Sequence, residues 1–267
     1  VVYRVPYKKN YKEKVGSGNH FHNVLCLSEA KGMDIMMINE ETRRKLREIN
    51  LGEAITGLEV QQADPATIAL PFDERMQRLI KSAKLRFPQA NRQGVIYANR
   101  GLNRELIENL FSGQYIDLHQ SVILQGFTGS GKTYLACALG KEACLNHVRV
   151  RYVRLPDLLM EYGDSTIVAG NQRKLLERYS RIPLLILDEW LVSDISDAEL
   201  HFLFELMERR SDTTSTIFCT QYRKDDWVKR LGEGVRAEAI VDRYAYTAFW
   251  IETGSTNMRE YCAKHKM

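Results

Sequence analysis

Apolar and polar positions change rhythm near residue 95. Beyond it, short apolar runs recur at residues 122–124, 148–153, 184–187, 216–219 and 249–251. Each has the length and β-branched content of a buried strand. Stretches with helical spacing separate them, at 132–146, 156–162 with 172–180, 198–210 and 235–244. Helical crossovers between apolar strands predict an α/β domain, with a parallel five-stranded sheet flanked by helices on both faces.

Before residue 95 the pattern is helical or absent. Met76, Leu79, Ile80 and Ala83 form an i, i+3, i+4, i+7 stripe, predicting a helix from Pro71 to about Phe87, ended by Pro88. Residues 40–50 and 53–63 read as two short helices broken at Leu51-Gly52, with a turn at Asp64-Pro65. Residues 1–35 have no clear period. Met36-Met37 precedes a good helix start, with Asn39 as N-cap and Glu40 and Glu41 in the first turn. The expected organisation is a poorly ordered or non-native extension over 1–36, a small helical N-terminal module over 37–94 and the α/β domain over 95–267.

Composition narrows the class. The chain has 267 residues, 44 % hydrophobic and 27 % charged, as ordinary soluble domains do. No apolar run approaches a membrane span, and no signal-like apolar segment follows the basic N-terminus, so a cytoplasmic protein without membrane association is expected. Cys26, Cys137, Cys144, Cys219 and Cys262 include no C-x-x-C pair and read as reduced, mostly buried thiols. A net charge of +4 says nothing about partners. Its distribution says more. From Pro71 to Arg104, eight basic residues (Arg75, Arg78, Lys81, Lys84, Arg86, Arg92, Arg100 and Arg104) stand against two acids. That segment suits either a polyanion or a solvated helix face.

The candidate chemistry begins at Gly126-Phe127-Thr128-Gly129-Ser130-Gly131-Lys132-Thr133, a full G-x-x-x-x-G-K-[ST] loop between a predicted strand and helix. Its glycines let backbone N–H groups wrap a phosphate at the positive end of a helix. Lys132 is placed to reach the terminal phosphates and the Thr133 hydroxyl to hold Mg²⁺. Residues 184–189 read Leu-Leu-Ile-Leu-Asp-Glu, so Asp188 and Glu189 end a buried strand, where open α/β sheets bind ligands. Asp188 suits the metal, and Glu189 suits orienting an attacking water. The strand 216–219 leads into Thr220 and Gln221, either of which can face the γ-phosphate. A hydrolytic site of this kind often takes an extra cation from outside. Arg236 and Arg243 are the candidates, with Arg243 preferred. Arg149, Arg151 and Arg154 read as one strand face, and Arg173, Lys174 and Arg178 lie on one helix. In a ring or spiral of subunits they would line a channel for a phosphate backbone, and otherwise they are plain surface. Trp190 and Trp227 read as packing residues.

The loop GFTGSGKT, the strands LLILDEW and TIFCTQY, and the stretch EAIVDRYAYTAFWIETGSTNMRE together resemble the IstB-type transposition helper ATPases. These are AAA+ proteins of the DnaA/DnaC clade, encoded beside a transposase. The likeness runs from about Met37 to Arg259. It implies ATP and Mg²⁺ as ligands, Lys132 and Thr133 as Walker A residues, and Asp188 and Glu189 as Walker B residues. It also implies Gln221 as sensor, and Arg243 as an arginine finger acting on a neighbouring subunit. Arg259 falls in the family's polar C-terminal segment. The short stretch after Ile251 implies no full C-terminal lid. The paired helices after the second strand match an insertion that faces DNA. The implied partners are duplex DNA, the element's transposase and further copies of the chain, assembled with ATP. Arg75, Arg78, Lys81, Lys84, Arg173, Lys174 and Arg178 are the expected DNA contacts. A DnaC-type helicase loader shares this core. A P-loop kinase fits less well with the Asp188-Glu189 pair and Arg243.

Overall fold

The computed structural model describes residues 70–97 and 100–265. The extension over 1–36, the helices expected at 40–50 and 53–63 and the turn at Asp64-Pro65 lie outside the described residues. Among the described residues there are five strands: β1 (Val122–Gln125), β2 (Val150–Arg154), β3 (Leu184–Trp190), β4 (Ser215–Thr220) and β5 (Phe249–Glu252). All pair in parallel, in the order β2-β3-β4-β1-β5. Between β1 and β5 lie α4 (Lys132–Leu145), α5 (Leu155–Ser165), α6 (Asn171–Ser180), α7 (Asp197–Arg210), α8 (Asp226–Arg230) and α9 (Gly234–Ala245). Before β1 come α1 (Leu70–Ala83), α2 (Arg104–Phe111) and α3 (Gln114–Asp117), and α10 (Met258–His265) follows β5.

Strand alternation builds two cores. Val122, Leu124, Leu184, Ile186, Ile217 and Cys219 point to one face, beneath α1, α2 and α4. Ile123, Leu185, Leu187 and Phe218 point to the other, beneath α5, α6, α7 and α9. Period-two side chains buried on both faces require a continuously apolar strand, which is the pattern the sequence carries. On the second face Trp190, Phe218 and Trp227 pack ring to ring, with centroids 4.8 to 5.6 Å apart. Both tryptophans are fully buried, as expected of packing residues.

Helix α1 ends four residues earlier than the apolar stripe suggested, because Lys84 takes a left-handed backbone (φ 52°). Leu79, Ile80, Ala83 and Leu85 pack into the same core as the phosphate-loop helix α4, and the compact unit begins at Ala69. Residues 70–94 therefore pack with the α/β sheet. Four short helices escaped sequence reading: α2, α3, α8 and α10. Helix α2 has a readable signal, an Asn103 cap whose side chain accepts from Leu106 N–H at 3.1 Å. The others have eight residues or fewer, too short for a clear period.

Candidate nucleotide site

The C-terminal ends of β1, β3, β4 and β5 bring four segments together. From β1 the chain enters the loop Gly126–Thr133, and α4 starts at Lys132 with no side-chain cap. Its first N–H groups are thus left for a ligand. Gly129 and Gly131 have φ of 91° and 89°. A side chain there would be strained, and a Cβ would fall 2.7 Å from Asn257 Oδ1 at Gly129 and 2.9 Å from Arg100 Nη2 at Gly131. Lys132 is nearly buried and donates to the carbonyls of Gly126 (2.6 Å) and Phe127 (2.8 Å). Burial lowers its pKa, while Cys219 and Asp188 act the other way.

Asp188 sits at the centre of a hydrogen-bond set. Thr133 Oγ1 donates to its Oδ2 at 2.9 Å, Tyr152 Oη to the same oxygen at 2.7 Å, and the Glu189 N–H to Oδ1 at 2.9 Å. A hydroxyl and a carboxylate oxygen side by side form a hard-oxygen pair suited to Mg²⁺, which takes one or two protein ligands and completes its shell with phosphates and water. Among the described residues no cluster of three acid, histidine or cysteine side chains offers a rival metal site.

Strand β3 kinks beyond Asp188. Its register with β4 shifts between Leu187 and Trp190, and Glu189 and Leu191 both have positive φ, 57° and 61°. This bulge turns the Glu189 side chain out of the sheet. Arg86 Nη1 lies 3.4 Å from its Oε1 and Arg154 Nε 3.7 Å from its Oε2. Arg154 also binds Asp157 through two hydrogen bonds, which raise its pKa, and a hydrogen bond to Tyr152 raises that of Arg86. From β4, Gln221 Oε1 accepts from Thr128 Oγ1 at 3.0 Å, while Thr220 turns inward to the Trp190 carbonyl. Of the two polar residues ending β4, Gln221 is therefore the one at the loop. From β5, Thr253 Oγ1 lies 2.6 Å from Ser130 Oγ, and the Met258 N–H donates to the Gly129 carbonyl at 2.8 Å.

A family model for IstB-like ATP binding proteins matches residues 69–266. The chain belongs to the IstB-like ATP-binding family. An insertion sequence ATP-binding protein of Sinorhizobium fredii is 34 % identical over 191 residues, covering 70 % of this chain and 76 % of that protein. Another from Pseudomonas fluorescens is 32 % identical over 211 residues, covering 69 % and 87 %. Among solved structures, the DnaC helicase loader superposes with a TM-score of 0.54 at 22 % identity, covering 61 % of this chain and 96 % of that one. AMPPCP-bound DnaA from Aquifex aeolicus gives 0.56 at 19 %, covering 67 % and 54 %. The fold is that of the AAA+ proteins of the DnaA/DnaC type, as the motifs implied.

The IstB-like fold keeps Arg243 away from its own phosphate loop. In the last turn of α9, Arg243 Nη2 is 2.7 Å from Glu208 Oε2 and Nη1 donates to the Ala239 carbonyl at 3.2 Å. It lines a cleft of about 280 Å³ with His119, Asp212 and Thr247, residues that precede β1, β4 and β5. Because every strand is parallel, this cleft lies at the opposite end of the sheet from Gly126–Thr133. Arg236 is exposed.

The basic residues divide. Arg75, Arg78, Lys81 and Lys84 face solvent, with Arg78 paired to Glu74 at 2.8 Å. Arg173, Lys174 and Arg178 are exposed on α6, with Arg173 on Glu177 and Arg178 on Glu161. Arg154 does not share a face with Arg149 and Arg151. It stands an odd number of residues away, and period two turns it toward Glu189. Arg86 is exposed and reaches Glu189, while Arg100 is buried against the Ser130 carbonyl. Sequence reasoning missed Tyr152, read Arg86, Arg100 and Arg154 as candidate surface charge, and quoted the segment Thr253–Met258 for its resemblance without placing it at the loop; no spacing signal brings them to the site.

Proposed function

We propose that this chain is an ATP-hydrolysing AAA+ protein that assembles on duplex DNA and recruits or activates a partner transposase in DNA transposition. The relatives at 34 % and 32 % identity are insertion-sequence ATP-binding proteins, which favours this reading over a helicase loader. The observation that carries the mechanism is the position of Arg243. A hydrolytic site has Lys132, Asp188 and Glu189 at one end of the sheet and its candidate finger at the other. Such a chain works when a neighbour's Arg243 reaches its γ-phosphate in a head-to-tail, ATP-linked oligomer.

Within one site, Lys132 and the loop N–H groups bind the phosphates, Glu189 orients the water and takes its proton, and Gln221 faces the γ-phosphate. Thr133 and Asp188 would hold Mg²⁺, which when bound shields the charge developing between the β- and γ-phosphates. Arg75, Arg78, Lys81 and Lys84 on α1, and Arg173, Lys174 and Arg178 on α6, are the proposed contacts to the DNA backbone. ATP turnover with and without duplex DNA tests the reading on the wild type, Glu189→Gln and Arg243→Ala. Hydrolysis is expected to rise with DNA and with protein concentration and to be abolished by either change. Turnover independent of protein concentration, or untouched by Arg243→Ala, refutes the shared site. Capture of transposase rather than replicative helicase separates the two partner readings.

A further inference from the structure

Among the described residues two arginines are buried, and they are not satisfied alike. Arg210 is fully buried, and its guanidinium reaches four acceptors: the carbonyls of Tyr179, Ile182 and Ser215 and the Thr216 hydroxyl, at 2.6 to 3.0 Å. Arg100 is 5 % exposed and, among the described residues, reaches two. Its Nη2 donates to the Ser130 carbonyl at 2.5 Å and its Nη1 to the Ile96 carbonyl at 3.0 Å. Its Nε is buried with no partner among the described residues. Among the described residues no carboxylate is paired with it, and burial is the one influence on its ionisation, lowering its pKa. A buried cation with unfilled donor capacity is costly unless an anion compensates it.

The place of this charge is specific. Nη2 is 2.9 Å from where a Cβ on Gly131 would stand, directly behind the phosphate loop. The segment after β5 closes over the Arg100 backbone, with Gly254 so near that a Cβ would fall 1.9 Å from the Arg100 carbonyl oxygen. The strap thus fixes the Arg100 backbone, and the Ser130 and Ile96 carbonyls hold its guanidinium. The missing counter-charge belongs on the loop's inner side, where a polyphosphate binds.

We propose that Arg100 is a further nucleotide-binding residue: a fixed positive charge behind the loop that compensates the ligand's phosphates and holds the Ser130 carbonyl turned away from them. This rests on the reading of Gly126–Thr133 as the nucleotide loop. It differs from Lys132 in acting through the loop wall, so it gains from any phosphate chain, diphosphate or triphosphate.

The test is equilibrium binding of N-methylanthraniloyl ADP and ATP to the full chain, with melting temperatures measured without nucleotide. The proteins are wild type, Arg100→Gln, Arg100→Lys and, as control, Lys132→Ala. Arg100→Gln is expected to weaken both ligands about tenfold, a loss of about 1.4 kcal/mol. Arg100→Lys keeps the charge and is expected to recover affinity to within about threefold of wild type, whereas Arg100→Gln keeps a donor without the charge. Unchanged affinity in Arg100→Gln, or Arg100→Lys binding as poorly as Arg100→Gln, overturns the role of Arg100 and leaves the loop's standing. Should Arg100→Gln not fold, Arg100→Lys decides alone: retained affinity upholds the role and lost affinity overturns it. Wild type that binds neither ligand, or Lys132→Ala that binds as well as wild type, overturns the loop reading and Arg100 with it.

Discussion

In the proposed mechanism Glu189 orients the water, and a carboxylate with that task has to be held by something other than the water. At Glu189 the holders are Arg86 and Arg154, at 3.4 and 3.7 Å, and all three side chains are partly exposed. Exposed pairs of this kind are worth about 0–1 kcal/mol each. Removing both arginines is therefore expected to change the rate of ATP turnover no more than about thirtyfold, whereas Glu189→Gln removes the proposed base itself. Steady-state kinetics of the Arg86→Ala, Arg154→Ala double variant checks this. A fall as deep as that of Glu189→Gln would make the arginines part of the reacting machinery. The cysteines give a second prediction at this scale. Burial raises the thiols of Cys137 and Cys144 to about 11 and lifts Cys219 well above its usual value. At pH 8 a thiol with pKa 11 is about one part in a thousand thiolate, so maleimide should modify half-buried Cys262 long before these three. Peptide mapping of a timed reaction on the native protein reads the order directly.

At the scale of elements, what the sequence made legible was whatever is local. The loop 126–133 and the pair Asp188-Glu189 are contiguous, and their flanking strand and helix have periods that read correctly. Tyr152, Arg86, Arg154 and Arg100 reach the site only because β2, the turn after α1 and the segment before α2 are carried there by the topology. Period and spacing hold no record of that convergence. The same is true of Arg210, which closes α7 in the sequence but in the fold joins the end of α6, the start of β3 and the start of β4. Burial lowers its pKa to about 10, so it stays charged at neutral pH and needs its four acceptors. Arg210→Ala leaves those carbonyls buried without donors and opens a cavity. The expected cost is about 3–5 kcal/mol of unfolding free energy. Urea denaturation measures it. Nucleotide affinity of the fraction that remains folded should not change, because the network lies at the sheet end opposite the phosphate loop.

At the scale of the whole molecule, the separation of Arg243 from Gly126–Thr133 yields a prediction that no single-chain enzyme satisfies. In the proposed shared site, Arg243→Ala keeps an intact phosphate loop and the Asp188-Glu189 pair but has no finger to lend. Glu189→Gln keeps the finger but cannot hydrolyse at its own loop. Each alone should be inactive. Mixed, an Arg243→Ala subunit can receive the finger of a Glu189→Gln neighbour, and the site between them is complete. In head-to-tail order, a site is active only when the first kind supplies the loop and the second the finger. Random mixing in equal amounts therefore gives about one half times one half, or about a quarter of wild-type turnover. The proportion of Glu189→Gln should tune the rate along a curve with its maximum at equal amounts. Titrating one variant into the other at fixed total protein, with ATP and duplex DNA present, draws that curve. A flat line at zero would mean that the two residues never meet across an interface. A straight line between the two inactive ends is the same result, and both would return Arg243 to its present partner, Glu208, as an ordinary surface pair.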